Sequence, residues 1–215
     1  MARVVFFLIL LISLSGCEQQ EVPAEQIYPW QIELLPDGGS RVFGIEFNRT
    51  TLAEARKILG SHHDEGLFEN RDGSMSLEIY FNEVTLGGIS GKFILTLDAD
   101  EAQLQALKER AGNSRTVDSG ARRYRPSSAD RELLYEMTIS GLGYIPYVNL
   151  DEEMVHQRFG EPAEIMRIGE DKRHFLYPDK GLDLLLDGEG KELLQYVAPR
   201  DFERLQLPLL RQFDS

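Results

Sequence analysis

A strand–helix–strand pattern occurs twice in this chain, and the recurrence constrains the fold more than any other feature. In the first half, Thr51-x-x-Glu54 predicts a capped helix that ends at Gly60. In the second half, Asn149-x-x-Glu152 predicts the start of a helix that ends at Gly160. The sequence therefore predicts an α+β fold of two similar units, each a helix packed on antiparallel strands. Alternatively, any two α+β units would share such a coarse pattern.

Alternation of apolar and polar residues predicts the strands that accompany these helices. We expect a hairpin in which a strand from Trp30 to Leu34 is joined by a turn to a return strand from Val42 to Phe47. The other runs predicted as strands are 77–81, 92–97, 144–150, 182–186 and 193–197.

Helix signals complete the plan of the chain. Asp98-x-x-Glu101 predicts a helix that closes near Gly112, and 199–205 predicts a short closing helix. We expect a first unit over 30–110, a connector over 111–141, a second unit over 142–207 and a tail over 208–215.

The connector is locally basic. Within it, Ser127-x-x-Asp130 predicts a cap for a short helix. We interpret the connector as a solvated linker whose arginines pair with acidic neighbours; these are Arg115, Arg122, Arg123 and Arg125.

The first sixteen residues have the pattern of an export signal. Arg3 supplies a positive start, and an apolar run from Val4 to Leu14 is too short to span a bilayer comfortably. Small residues lead to Cys17, the single cysteine of the chain, which cannot form an internal disulfide. Residues 18–29 are polar with two prolines, so 17–29 is predicted to be a tether. An ordinary signal peptide with a chance cysteine, or an uncleaved anchor, is the alternative.

Leu14-Ser-Gly-Cys17 resembles the bacterial lipobox. This resemblance implies cleavage of the signal peptide 1–16 and acylation of Cys17, including a diacylglyceryl thioether. Several acyl chains hold a protein on a membrane more firmly than one does. Glu18 follows the cysteine in place of the aspartate that marks inner-membrane retention in this class. The resemblance therefore implies an outer-membrane lipoprotein that faces the periplasm.

The segment Asn149 to Pro162 is similar to the helix and "Leu-Gly-x-Pro" turn of small outer-membrane assembly lipoproteins of the BamE (SmpA/OmlA) type. Those proteins share a general architecture with β-lactamase-inhibitor-like tandem repeats. The resemblance implies this fold and a role in the cell envelope. The chain departs from the pattern because Phe159 replaces the leucine, because no proline follows Gly60, and because two units replace one.

The net charge of −13 excludes some partners and favours others. A surface so negative repels nucleic-acid backbones and anionic headgroups. We therefore expect that no nucleic acid is a partner, and that the chain attaches to the membrane through its lipid alone. A protein partner in the envelope, basic rather than acidic, fits better.

The residues give no catalytic signature. Ser90 lacks the spacing of a nucleophile elbow, and an acylated Cys17 cannot be a nucleophile. His62 and His63 would point to opposite faces of a strand, so a shared metal ion is not predicted. Asp183 and Asp187 are interpreted as solvated. We therefore expect no catalytic residues, metal or cofactor.

Strand alternation predicts a surface for a partner instead. One face of the sheet is rich enough in leucine and phenylalanine to be the helix-covered core. The other would present Tyr80, Ile94, Leu185 and Leu193 beside polar neighbours, a mixture typical of protein-binding patches. The alternative is that the connector or tether covers this face.

These observations favour a non-enzymatic scaffold or binding lipoprotein, in outer-membrane protein assembly or with another envelope partner. Two alternatives stay open: an inhibitor or immunity protein that binds a periplasmic enzyme, and an envelope hydrolase with a dispersed site.

Overall fold

The computed structural model describes residues 27–213 of the 215-residue chain, with the side chains of 27–211. The predicted signal peptide 1–16, Cys17 and most of the tether lie outside the described residues. The described part contains a large antiparallel sheet and five α-helices, which confirms the predicted α+β class. Within it, no helix has both the length and the apolar character needed to cross a membrane.

Ten strands form the large sheet, and three short ones form a separate small sheet. The small sheet contains β1 (Glu33–Leu34), β2 (Ser40–Val42) and β3 (Ile45–Glu46). The strands of the large sheet are β4 (Asp64–Glu69), β5 (Met75–Leu86), β6 (Ile89–Leu97), β7 (Ser114–Thr116), β8 (Arg122–Tyr124), β9 (Ile139–Pro146), β10 (Glu164–Ile168), β11 (Lys172–Tyr177), β12 (Leu182–Asp187) and β13 (Leu193–Tyr196).

Two meanders run toward β9 from opposite sides of the large sheet. The spatial order is β10-β11-β12-β13-β9-β6-β5-β4-β8-β7, and β9 pairs with β13 on one side and β6 on the other. The strands predicted at 77–81, 92–97 and 182–186 lie within observed strands, and the one predicted at 193–197 extends one residue beyond β13. The strand predicted at 144–150 is wrong in its bounds: β9 begins five residues earlier, at Ile139, and ends at Pro146, which has no backbone N–H for further pairing.

The helix ends predicted at Gly60 and Gly160 are correct, whereas two of the predicted caps are displaced. Helix α1 (Leu52–Leu59) has the predicted capping box of Thr51, and α4 (Glu152–Phe159) ends at Gly160 as predicted. However, Asp151 rather than Asn149 caps α4, because its carboxylate accepts from the N–H of Met154. Similarly, Asp100 rather than Asp98 caps α2 (Glu101–Arg110). In both cases the nearer carboxylate reaches the free N–H groups of the first turn.

The predicted return strand 42–47 is broken by a tight turn. Phe43 has φ 53° and Gly44 has φ 76°, so the chain reverses between β2 and β3. A left-handed conformation is costly for a phenylalanine. Burial of the Phe43 side chain favours this conformation, because the residue is only 2% exposed. The centroid of its ring lies 4.9 Å from that of Phe93 and 5.1 Å from that of Tyr144.

The segment 111–141 is built into the fold, so its interpretation as a solvated linker is wrong. It supplies β7 and β8 at one edge of the sheet, helix α3 (Arg131–Glu136) and the first residues of β9. Ser127 caps a 3-10 turn over Ser128–Asp130, close to where a cap was predicted.

One face of the large sheet carries the main core. Its side chains alternate with those of the other face, as predicted, and include Leu77, Ile79, Phe93, Leu95 and Leu184, each at most 1% exposed. They pack with α1 to α4 and with the small sheet in one continuous cluster. We call this the core face and its opposite the second face.

A C-terminal helix covers part of the second face. The predicted closing helix is a 3-10 turn over Pro199–Asp201, followed by α5 (Glu203–Phe213), which continues into the predicted tail. Phe202, at the start of α5, and Leu209 within it pack with Met166 of β10 and Leu176 of β11. Helix α5 therefore closes the β10–β11 end of this face.

Candidate functional site

The structure brings the four predicted partner-binding residues onto the second face. Tyr80 is the cross-strand partner of Ile94, and Leu185 is the partner of Leu193. All four side chains are half-buried, in contrast to the fully buried residues that alternate with them.

Gly143 connects the two pairs into one row. It pairs with Ile94 of β6 on one side and Gln195 of β13 on the other. A Cβ atom on Gly143 would lie 3.6 Å from the Cβ of Ile94 and 3.7 Å from the Cδ1 of Leu193. Because glycine has no side chain, a shallow gap lies between Ile94 and Leu193. We call Tyr80, Ile94, Gly143, Leu193 and Leu185 the apolar row.

Tyr80 lies at the end of the row in a partly desolvated setting. Its hydroxyl donates to the Glu78 carboxylate, and its ring centroid is 6.0 Å from that of Phe68. Burial, followed by the hydrogen bond to Glu78, raises the pKa of Tyr80, so the phenol stays a neutral donor at physiological pH. The guanidinium carbon of Arg123 lies 5.5 Å from the Tyr80 ring centroid, a cation–π contact.

The other end of the row leads under α5. Leu185 lines a cavity of about 330 Å³ together with Gln195, His174 and Lys172 of the sheet and with Arg204 and Leu205 of α5. Pro208 and Leu209, which also line this cavity, lie beyond the short closing helix predicted at 199–205.

A buried ion-pair geometry underlies this cavity. The Nδ1 atom of His174 lies 2.9 Å from Oδ1 and 3.0 Å from Oδ2 of Asp183. Asp183 is only 1% exposed, so its interpretation as solvated is wrong; Asp187, half-buried, lies 3.7 Å from the Lys172 ammonium. The sequence places a histidine and an aspartate on successive strands, which is the only sign of this pair. The register of the two strands could not be predicted, so the contact between the side chains could not be predicted either. Within the described residues, the ring of His174 hydrogen-bonds to Asp183 alone.

A cavity of about 600 Å³ lies at the opposite edge of the sheet. We call it the arginine cleft, because Arg110 of α2, Arg115 of β7 and Arg123 and Arg125 of β8 and its following loop line it. The prediction that the connector arginines pair with acidic neighbours is wrong. Within the described residues, Arg115, Arg122, Arg123 and Arg125 form no salt bridge within 4 Å; of the cleft arginines, Arg110 does, with Asp130 at 2.8 Å.

The neighbouring histidines His62 and His63 have different surroundings. His63 packs against Phe81 and Tyr135, and its Nδ1 lies 3.0 Å from the carbonyl of Ser61. Its Nε2 lies 3.6 Å from Glu65, and this contact is the main cause of the lowered pKa of Glu65. His62 is exposed. Among residues 27–213, no three His, Cys, Asp or Glu side chains are grouped closely enough to hold a metal ion.

Comparisons with known proteins add no relative. No protein-family model, curated protein or solved structure matches the chain.

Proposed function

We propose that this chain is a non-enzymatic binding module that captures another envelope protein on its apolar row. The observation that carries the proposal is the half-buried row formed by Tyr80, Ile94, Leu193 and Leu185 on the second face of the sheet.

The chemistry of the row suits a protein partner. A sheet face that meets only water usually carries polar side chains. Here an aromatic ring with a fixed polar end, two leucines and an isoleucine alternate with Gln195, Thr96 and Glu78. Mixed apolar and polar surface around an aromatic anchor is typical of protein interfaces. The leucines at one end of the row and Tyr80 at the other end give a partner two places to bury apolar side chains.

We further propose that lipid on Cys17 places this module at the outer membrane, facing the periplasm. The lipobox-like Leu14-Ser-Gly-Cys17 supports the anchor, and Glu18 supports the outer-membrane address. Attachment by lipid needs no spanning helix, and the net charge of −13 disfavours attachment by charge.

We propose the tandem-repeat origin and the kinship with BamE-type assembly lipoproteins on the order of elements. In each half a strand is followed by a short helix that ends at a glycine, and then by a meander that runs toward β9. This order supports a role in outer-membrane protein assembly over an unrelated envelope function.

Site-specific crosslinking of the full chain in its host tests the proposal. A photoreactive residue at Ile94 or Leu193 should crosslink the same envelope protein, whereas one at Lys57, exposed on α1, should not. Crosslinking that is equal at all three positions, or absent from the row, would contradict it. A captured partner that is an enzyme, and that the chain inhibits, would assign the inhibitor function instead.

Substitution of the row separates binding from folding. Tyr80→Ala and Leu193→Glu should weaken capture at least tenfold while the thermal midpoint falls by no more than about 2 °C. A loss of many degrees would identify these side chains as core and remove the row as a binding surface.

A further inference from the structure

The arginine cleft reverses the charge of the chain around it. The whole chain carries −13, yet the cleft is lined by four arginines and by no aspartate or glutamate. Asn113, Ser114 and Ser127 add neutral polar groups to the lining. A cleft of this composition attracts anions although the rest of the surface repels them.

Two of these arginines oppose each other directly. Arg115 of β7 is the cross-strand partner of Arg123 of β8. Like charges in this arrangement destabilise a strand pair. Within the described residues neither guanidinium has a carboxylate within 4 Å; Arg123 donates instead to the backbone carbonyl of Glu65, at 3.1 Å. An anion between the two would relieve the repulsion.

The nearby carboxylates are already engaged. Glu69 accepts from Lys108 at 2.5 Å and from the Tyr124 hydroxyl at 2.8 Å, and Lys108 is the main cause of its lowered pKa. Glu65 faces His63, and the charge of Arg125 is only a minor cause of the lowered pKa of Glu65. Arg110 is paired with Asp130. Arg115, Arg123 and Arg125 therefore have no carboxylate partner within 4 Å among the described residues, and their free N–H groups can meet an external anion.

The cleft also includes an edge of the sheet. In the described part of the chain β7 is the last strand, paired with β8 alone, so the backbone groups on its outer side have no strand partner. Such an edge accepts an extended peptide as an additional strand. Charged side chains on an edge strand disfavour pairing with other strands. Arginines disfavour pairing with basic or apolar strands but favour a strand that carries acidic side chains.

We propose that the arginine cleft binds an extended acidic segment of the protein partner, which adds to β7 and places carboxylates against Arg115, Arg123 and Arg125. The guanidinium fork matches a carboxylate with two parallel hydrogen bonds. Because side chains alternate along a strand, acidic residues at every second position would all face the arginines. This inference rests on the proposed protein-binding function, and it replaces the expectation of a basic partner at this surface.

Arg123 makes the cleft and the apolar row continuous. It lines the cleft, and its guanidinium stacks over the rings of Tyr80 and Phe68, at 5.5 Å and 5.8 Å. A partner that inserts acidic side chains into the cleft therefore reaches the row with its next residues.

Synthetic peptides test the inference without the natural partner. The probe is a fluorescent peptide of alternating glutamate and threonine, titrated with the detergent-solubilised full chain and followed by fluorescence anisotropy. It should bind at least tenfold more tightly than a matched peptide of alternating glutamine and threonine, and the affinity should fall as salt rises. Equal affinity for the two peptides would overturn the proposal, and so would inorganic pyrophosphate binding as tightly as the acidic peptide.

Variants assign the binding to the cleft. Arg115→Gln combined with Arg125→Gln should weaken the acidic peptide at least tenfold. Arg167→Gln is the matched control, because Arg167 is an exposed arginine of β10 at the other edge of the sheet. Equal loss in both would reduce the effect to net charge and contradict the site. Because crosslinking from Ile94 is measured separately, failure of the cleft is distinguishable from failure of the apolar row.

Discussion

The Nδ1 atom of His174 lies between the two carboxylate oxygens of Asp183, at 3.0 Å or less from each, on neighbouring strands of the second face. A carboxylate only accepts hydrogen bonds, so the pair requires the proton on Nδ1. Both residues are buried, His174 at 6% and Asp183 at 1% exposure. The pair therefore fixes the floor of the cavity beneath α5.

Removal of His174 should strongly destabilise the protein, because Asp183 would be left as a buried carboxylate without a partner. We expect His174→Ala to lower the free energy of unfolding by about 3–5 kcal/mol. His62→Ala, at an exposed histidine, should change it by no more than about 0.5 kcal/mol. Urea unfolding followed by circular dichroism measures both. The double variant His174→Leu/Asp183→Leu should recover most of the loss; no recovery would mean that the pair contributes something other than charge compensation.

Local signals predicted much of this fold. Thr51, Gly60 and Gly160 act within one or two turns of chain, and their helix ends are where the sequence places them. The alternation around Leu77 and Phe93 likewise identified the core face, because a strand has only two sides.

Non-local contacts determine what the sequence did not predict. Strand β9 has the sequence Ile-Ser-Gly-Leu-Gly-Tyr-Ile-Pro. Its two glycines interrupt the alternation that predicts a strand. In the fold, side chains of the neighbouring strands β6 and β13 pack around these glycines. The turn at Phe43 depends on aromatic rings from three distant strands. The arginine cleft was missed for the same reason. Only the pairing of β8 with β4 and β7 shows that Arg115 and Arg123 lie opposite each other without a counter-charge.

Three buried tyrosines should keep their protons to unusually high pH. Burial raises the pKa of Tyr144 and of Tyr177 to about 12, and raises that of Tyr196 well above its usual range. In the unfolded chain tyrosine ionises near pH 10. Because the folded pKa is the higher one, the stabilisation is complete below about pH 10 and is lost as the pH rises from there toward the folded pKa values.

Alkaline titration measures this effect. Phenolate absorbance at 295 nm should rise in two stages, and the second should coincide with loss of the circular dichroism signal. Tyr196→Phe should remove one tyrosine from the second stage. Ionisation of all tyrosines near pH 10, with the fold intact, would contradict the burial of these hydroxyls.

The proposed lipid anchor gives a prediction outside the described residues. Cys17→Ala should leave an unprocessed precursor or a species without lipid, because the chain has no other thiol to accept a diacylglyceryl group. Ser13→Ala, within the apolar run, should leave processing unchanged. Mass spectrometry of the N-terminal peptide and detergent phase partition decide the matter. A mature wild-type chain with a free, unmodified Cys17 would show that the lipobox resemblance is accidental.

Two glycines of the central strands should respond in opposite ways to the same added methyl group. A Cβ atom on Gly91 would lie 2.4 Å from the Tyr144 ring and 2.6 Å from the backbone oxygen of Ile145 on the paired strand. Neither neighbour can move away without disturbing the β6–β9 pairing, so Gly91→Ala should cost about 1–3 kcal/mol of unfolding free energy. A Cβ atom on Gly143 meets nothing closer than 3.6 Å.

Gly143→Ala should therefore leave stability unchanged or raise it by up to about 1 kcal/mol, because alanine loses less conformational entropy than glycine on folding. Thermal unfolding of the two variants beside the wild type measures the difference. If Gly143→Ala were as destabilising as Gly91→Ala, the gap between Ile94 and Leu193 would be closed in solution, and the apolar row would have no depression at Gly143.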